Sequence, residues 1–289
     1  MRPLGALLVL CLLAAPLSAA DAAALAAAGR VALEKNQDEK AVELYEQAVK
    51  LAPKNAEYHY FLGAAYGELA QKSGMLKMAS MAKKTKAAFD KAVELDPNYI
   101  DARLALIDYY TVAPGFMGGS QDKALEQAAE IKKRNGIEGH RAYARIYMRQ
   151  KKTDLARKEH VEGVRENPTS ARAHYLLGAY LINEKNWSGS VQELEAALRL
   201  DPTYMPSHLR LGQVSALSGH NYARGEESLR KYLAYKPSLH EPGHATAWHL
   251  LGMIQEKQGQ KAAAKASYTN AKQLAPDSKE IAEALKRVS

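Results

Sequence analysis

Residues 171–204 read ARAHYLLGAYLINEKNWSGSVQELEAALRLDPTY, and this stretch decides the fold. Its first half places His174, Leu177, Gly178 and Leu181 at spacings of three, four and seven, which is one face of a helix. Its second half repeats the rhythm with Ser190, Leu194 and Ala197, and Pro202 then stops the chain from continuing as helix. Neither helix can bury its apolar stripe alone. The pair needs neighbours, and near-copies of the stretch supply them along the chain.

Laid over the whole sequence, the 34-residue stretch gives seven units, at 22–55, 56–99, 100–136, 137–170, 171–204, 205–239 and 245–278. Residues 279–288 follow with Ile281, Ala282 and Leu285 on one face, which suits a capping helix with a polar outer side. Position 4 is bulky, positions 7 and 8 read Leu-Gly in units such as Leu62-Gly63 and Leu211-Gly212, position 24 is aromatic in units such as those of Tyr45, Phe89 and Tyr268, and position 32 is proline. Small residues at 8, 20 and 27 let two antiparallel helices approach closely. The second unit carries about ten extra residues between Tyr66 and Phe89. The third has Ile107 in place of the glycine, Gly136 in place of the proline, and about five residues inserted around Ala113. No segment alternates with period two, so the expected class is all-α.

This pattern resembles the tetratricopeptide repeat family over nearly all of residues 21–289. The resemblance implies a right-handed α-solenoid of helix-turn-helix units whose first helices line a concave groove, and a scaffold that docks a protein or peptide segment and catalyses nothing. In this family positions 2, 5, 9 and 13 of the first helix point into the groove. Carried onto this sequence, those positions give Arg141, Arg145 and Arg149 in the fourth unit, Arg172 and Tyr175 in the fifth, and Tyr60 in the second. Arg210 and Gln213 join them in the sixth. The Lys and Asn clamp by which some relatives grip a C-terminal carboxylate is absent, because Ala26, Arg30, Tyr60 and Ala64 stand at its positions.

Like charges one helical turn apart repel. The arginine row therefore needs an anionic counterpart, and the planar guanidinium suits carboxylates. Two counterparts are open. Asp101, Asp108 and Glu138 can neutralise the row from within, or an acidic partner segment can do so. An anionic glycan or polymer on the same basic groove is the alternative ligand, consistent with a net charge of +8.

The N-terminus is of another kind. Arg2 precedes an apolar run at residues 4–17, and Ser18, Ala19 and Ala20 then lead to Asp21. One positive charge, a short apolar core and small residues before the break describe a secretory signal peptide at residues 1–20, cut after Ala20. The run is too short to span a bilayer as a helix. Periplasmic localisation and a role in envelope assembly or secretion are the expectations, and export argues against nucleic acid as partner. Cys11 lies inside the leader and is the single cysteine, so the mature chain is left without thiol chemistry.

Other letter patterns yield to plainer explanations, and neither metal nor cofactor is expected. His240-Glu241-Pro242-Gly243-His244 spells a zinc-protease helix, but Pro242 and Gly243 sit where that helix tolerates neither. His59, His140, His174 and His208 all occupy position 4, where packing accounts for them. Met75, Met78 and Met81, three apart, suit an inward packing face before a copper(I) or partner contact. Ser120 after Gly118-Gly119 reads as a helix N-cap.

Overall fold

The computed structural model describes residues 19–238 and 241–289; the leader through Ser18, with Cys11, and His240 of the zinc-like motif lie outside the described residues. Among the described residues there are fifteen α-helices, one short 3-10 turn and no strand. The helices follow one another as hairpins: α1 (Ala19–Glu34) with α2 (Asp38–Leu51), α3 (Ala56–Gln71) with α4 (Met75–Leu95), and α5 (Ile100–Val112) with α6 (Gln121–Arg134). Then come α7 (Gly136–Arg149) with α8 (Thr153–Glu166), α9 (Ala171–Asn183) with α10 (Trp187–Leu200), and α11 (Met205–Ser218) with α12 (Tyr222–Ala234). Next are α13 (His244–Lys257) with α14 (Lys261–Leu274), and finally α15 (Lys279–Arg287). The expected cut after Ala20 falls in the first turn of α1.

Two compact units result, one up to Ile131 and the other from Lys132 to Ser289. Within the first unit α1 touches α3. Within the second the first helices run in sequence, α7 against α9, α9 against α11 and α11 against α13. Each unit thus has a layer made of first helices, and α15 closes the second unit against α14.

The hairpin interior explains the Leu-Gly signature. A methyl group on Gly212 would stand 2.3 Å from Leu229 Cγ, and one on Gly63 would stand 2.6 Å from the Phe89 ring. Position 8 is therefore kept empty so that the side chain at position 24 can lie across it. In the third hairpin the sizes are exchanged: Ile107 fills the glycine's position and Ala128 the ring's, both fully buried. Summed volume is conserved, which is what a close-packed interior requires.

Local bonds set the joints between hairpins. Asn55, Asn135 and Ser170 cap α3, α7 and α9 by accepting backbone N–H bonds from Tyr58, Glu138 and Ala173. The position-4 side chains add a second tie. His59 Nε2 bonds the Pro53 carbonyl at 2.9 Å, Arg103 Nε the Pro97 carbonyl at 2.9 Å, and His174 Nε2 the Pro168 carbonyl at 3.0 Å. His140, whose unit follows one without the proline, turns to carboxylates instead: Nδ1 lies 2.8 Å from Glu159 and Nε2 3.0 Å from Glu166. These histidines pack and tie helices together. They do not converge.

The insertions have distinct fates. The extra residues of the second hairpin lengthen α4 to 21 residues, with Met81 packed on the core of the first unit and Met75 left exposed. Those of the third form the 3-10 turn Gly115–Met117. There Tyr109 Oη donates to the Met117 carbonyl at 2.5 Å, and Ser120 Oγ accepts from the Lys123 N–H.

Candidate docking face on the first helices

The expected groove residues fall in both units, and the structure joins five side chains of the second unit into one constellation. Glu138 Oε2 accepts from Arg141 Nη1 at 2.6 Å, and its Oε1 accepts from Arg172 Nε at 2.8 Å. Arg172 Nη1 also donates to Tyr204 Oη at 3.2 Å, and its guanidinium stands 6.0 Å from the Tyr175 ring centroid. Tyr175 and Tyr204 meet edge to face, with centroids 5.3 Å apart. Burial pushes the Glu138 carboxyl up, but Arg172 and Arg141 more than reverse this and hold it below the usual carboxylate range. Burial likewise disfavours the Arg172 cation, and Glu138 overcomes that, so the guanidinium stays charged.

Two arginines of the row are therefore fixed from within, by Glu138. Arg145 is half-buried and Arg149 exposed, and neither is a free cation. Arg210 Nη1 donates to Gln213 Oε1 at 2.5 Å, so these two form a polar pair on α11. Asp101 and Asp108 belong to the first unit.

Tyr60 has a different setting. Its ring lies 5.2 Å from Tyr99, 5.0 Å from Phe61 and 5.9 Å from Phe89. Arg30 pairs with Glu57 at 3.3 Å, its guanidinium 4.9 Å above the Phe61 ring. The Tyr60–Tyr99 pair repeats the Tyr175–Tyr204 pair: position 5 of a unit meets the last residue of that unit. In both, an aspartate turn delivers the second tyrosine, Asp96 accepting from the Asn98 N–H and Asp201 from the Thr203 N–H, each at 2.9 Å. Sequence reasoning from groove positions missed Tyr99, Tyr204 and the bridging role of Glu138. The signal was present as the repeated Leu-Asp-Pro-x-Tyr at 95–99 and 200–204.

The zinc-like letters resolve into loop bonding. Glu241 accepts from Tyr235 Oη at 2.9 Å and the Ser238 N–H at 2.7 Å, while His244 Nε2 bonds the Tyr235 carbonyl at 2.7 Å. Among the described residues no group of three His, Cys, Asp or Glu side chains is placed to hold a metal ion, and no helix is long and apolar enough to cross a membrane.

Helical hairpins in tandem, with a layer of first helices carrying paired rings and fixed charges, define a class of protein: the helical-repeat interaction scaffold. Within that class the chain belongs to the tetratricopeptide repeat family. Family models match it at residues 29–69 (TPR repeat) and at 141–204 and 245–278 (tetratricopeptide repeat). A tetratricopeptide repeat protein from Parabacteroides merdae superposes with TM-score 0.51 at 17% identity, over 92% of this chain and 98% of that one. The human IFIT1 dimer with PPP-AAAA gives 0.56 at 20%, over 86% and 58%, and the APC/C hetero-tetramer Cut9-Hcn1 gives 0.51 at 15%, over 93% and 48%. This chain thus spans about half the length of the last two. At these identities the likeness is one of fold. A comparison with curated protein sequences finds no match. Proteins of this family serve as protein–protein interaction scaffolds and are generally non-enzymatic.

Proposed function

We propose that this chain is an exported scaffold of the bacterial periplasm that docks an extended or helical protein segment on its first-helix face, in envelope assembly or secretion. The observation that carries this is the duplicated tyrosine pair. Tyr60–Tyr99 and Tyr175–Tyr204 present flat rings of the same geometry from the same repeat positions, the first packed against Phe61 and Phe89 and the second held by Arg172, which Glu138 neutralises. Rings held this way lose little side-chain freedom on binding, which favours them as contact anchors. Arg145 and Arg149 on α7 and Arg210 on α11 add basic groups to the first helices, of a charge suited to acidic residues of the partner. The N-terminal charge, apolar run and small residues support export.

Crosslinking in intact cells, followed by identification of the attached chains, tests the proposal. A partner captured by the native chain should be lost with Tyr175→Ala and weakened with Arg145→Glu plus Arg149→Glu, while the helical circular-dichroism signal stays intact. A capture profile unchanged by all three substitutions overturns it. If the bound species is instead a polyanion, its affinity will collapse steeply with added salt, more than a packed peptide interface allows.

A further inference from the structure

The most exposed large apolar side chains among the described residues gather on the insertions of the first unit. Leu76 is 91% exposed, Phe116 86%, Met75 78% and Val112 64%. Met75 and Leu76 open the extra length of α4, Val112 ends α5, and Phe116 lies in the 3-10 turn. The helices alternate in direction, so the α3–α4 and α5–α6 connections share one end of the unit. Contacts confirm this: the Lys86 side chain lies 3.9 Å from where a Gly118 Cβ would stand, and Lys86 Nζ is 5.6 Å from the Tyr110 ring centroid. The Phe116 turn is thereby set beside α4, and Leu76, ten residues before Lys86, is about 15 Å further along that helix.

Charge selects the occupant. Residues 69–89 contain five lysines and no acidic residue. Lys72, Lys77 and Lys84 pair with Asp38, Glu39 and Glu46 on α2, yet each lysine side chain remains about half exposed. Asp38 is buried and keeps Lys72, but the Lys77–Glu39 and Lys84–Glu46 pairs lie at the surface, where such pairs contribute little, so lipid phosphates can replace those two carboxylates at small cost. At such exposure the four apolar side chains project from the turns. They can insert between headgroups, whereas a folded partner would find no floor to pack on.

We propose that this end of the first unit docks on an anionic lipid surface, with Met75, Leu76, Val112 and Phe116 entering the interface inside a lysine collar. Cosedimentation with vesicles of phosphatidylcholine alone, and of phosphatidylcholine mixed with phosphatidylglycerol, tests it. The full chain should sediment with the charged vesicles, be released by salt, and stay in solution with the neutral ones. Leu76→Asp plus Phe116→Asp should cut the partition roughly tenfold or more, and Lys83→Glu should reduce it less. All three sites are exposed, so the thermal melt should not move; any pull from the apolar N-terminal run is common to native and variant chains. Equal sedimentation of native and double-variant chains, or binding indifferent to lipid charge, overturns the proposal. So does self-association that Leu76→Asp abolishes, which would make the patch an interface between copies.

Discussion

The two tyrosine pairs share a ring geometry and differ in what surrounds it. Tyr60–Tyr99 is embedded among Phe61 and Phe89, and its charge pair, Arg30–Glu57, is open to solvent, with Glu57 52% exposed. Tyr175–Tyr204 leans on a carboxylate of which only 11% of the side chain is exposed, holding two arginines at once. The first pair is built by apolar packing and the second by electrostatics. The repeat fixes where the rings stand, and the neighbouring side chains decide what holds them.

The sharpest way to break this contrast is to remove the two glutamates. Glu138→Ala leaves Arg141 and Arg172 facing each other in a half-buried site and should lower the stability of the second unit by about 3 kcal/mol. Glu57→Ala, losing one exposed pair, should cost the first unit under about 1 kcal/mol. Denaturant unfolding followed by hydrogen exchange assigns each loss to its unit. Equal losses would mean that both pairs are braced alike.

Acid provides the next test. The His160 ring lies 4.9 Å from Tyr180, and burial, reinforced by the charges of His140 and Arg141, pulls its pKa down from 6.5 to about 4. The fold keeps this ring neutral while the unfolded chain takes up a proton. Stability of the second unit is therefore complete above pH 6.5 and declines as pH falls toward 4, by about 3 kcal/mol in all. Glu138 has a lowered pKa, so its contribution is present above the ordinary carboxylate value of 4.5 and fails only at still lower pH. The stability difference between the native chain and His160→Phe should change between pH 6.5 and 4 and stay constant outside that range.

The smallest effect is the most direct measure of likeness. Double-mutant cycles of Tyr60→Ala with Tyr99→Ala, and of Tyr175→Ala with Tyr204→Ala, should each give a ring–ring coupling of about 1 kcal/mol. A second coupling clearly above the first would show that Arg172, bonded to Tyr204 and stacked near Tyr175, contributes to the pair itself.

The hairpins were legible in the sequence because their signals are local. Leu-Gly at positions 7 and 8, the ring at 24 and the proline at 32 each act within one hairpin, and even the Ile107–Ala128 exchange lies inside one. The face was legible only in part. Groove positions named Arg141, Arg172, Tyr175 and Tyr60, but a carboxylate shared between α7 and α9 depends on how neighbouring hairpins meet, which position counting does not convey. Glu138 read as one of three possible counter-charges, and the geometry shows it bridging Arg141 and Arg172. Tyr99 and Tyr204 were missed because they sit in the turn between hairpins, outside the helix positions that were counted.

The bonds from His59, Arg103 and His174 back to proline carbonyls each span six residues. Every such hinge is thus closed by groups that meet as soon as the short linker is made, without waiting for distant parts of the chain. Assembly of these joints can then follow the order of synthesis, one hinge at a time, and an error in one hairpin need not spread to the angle of the next.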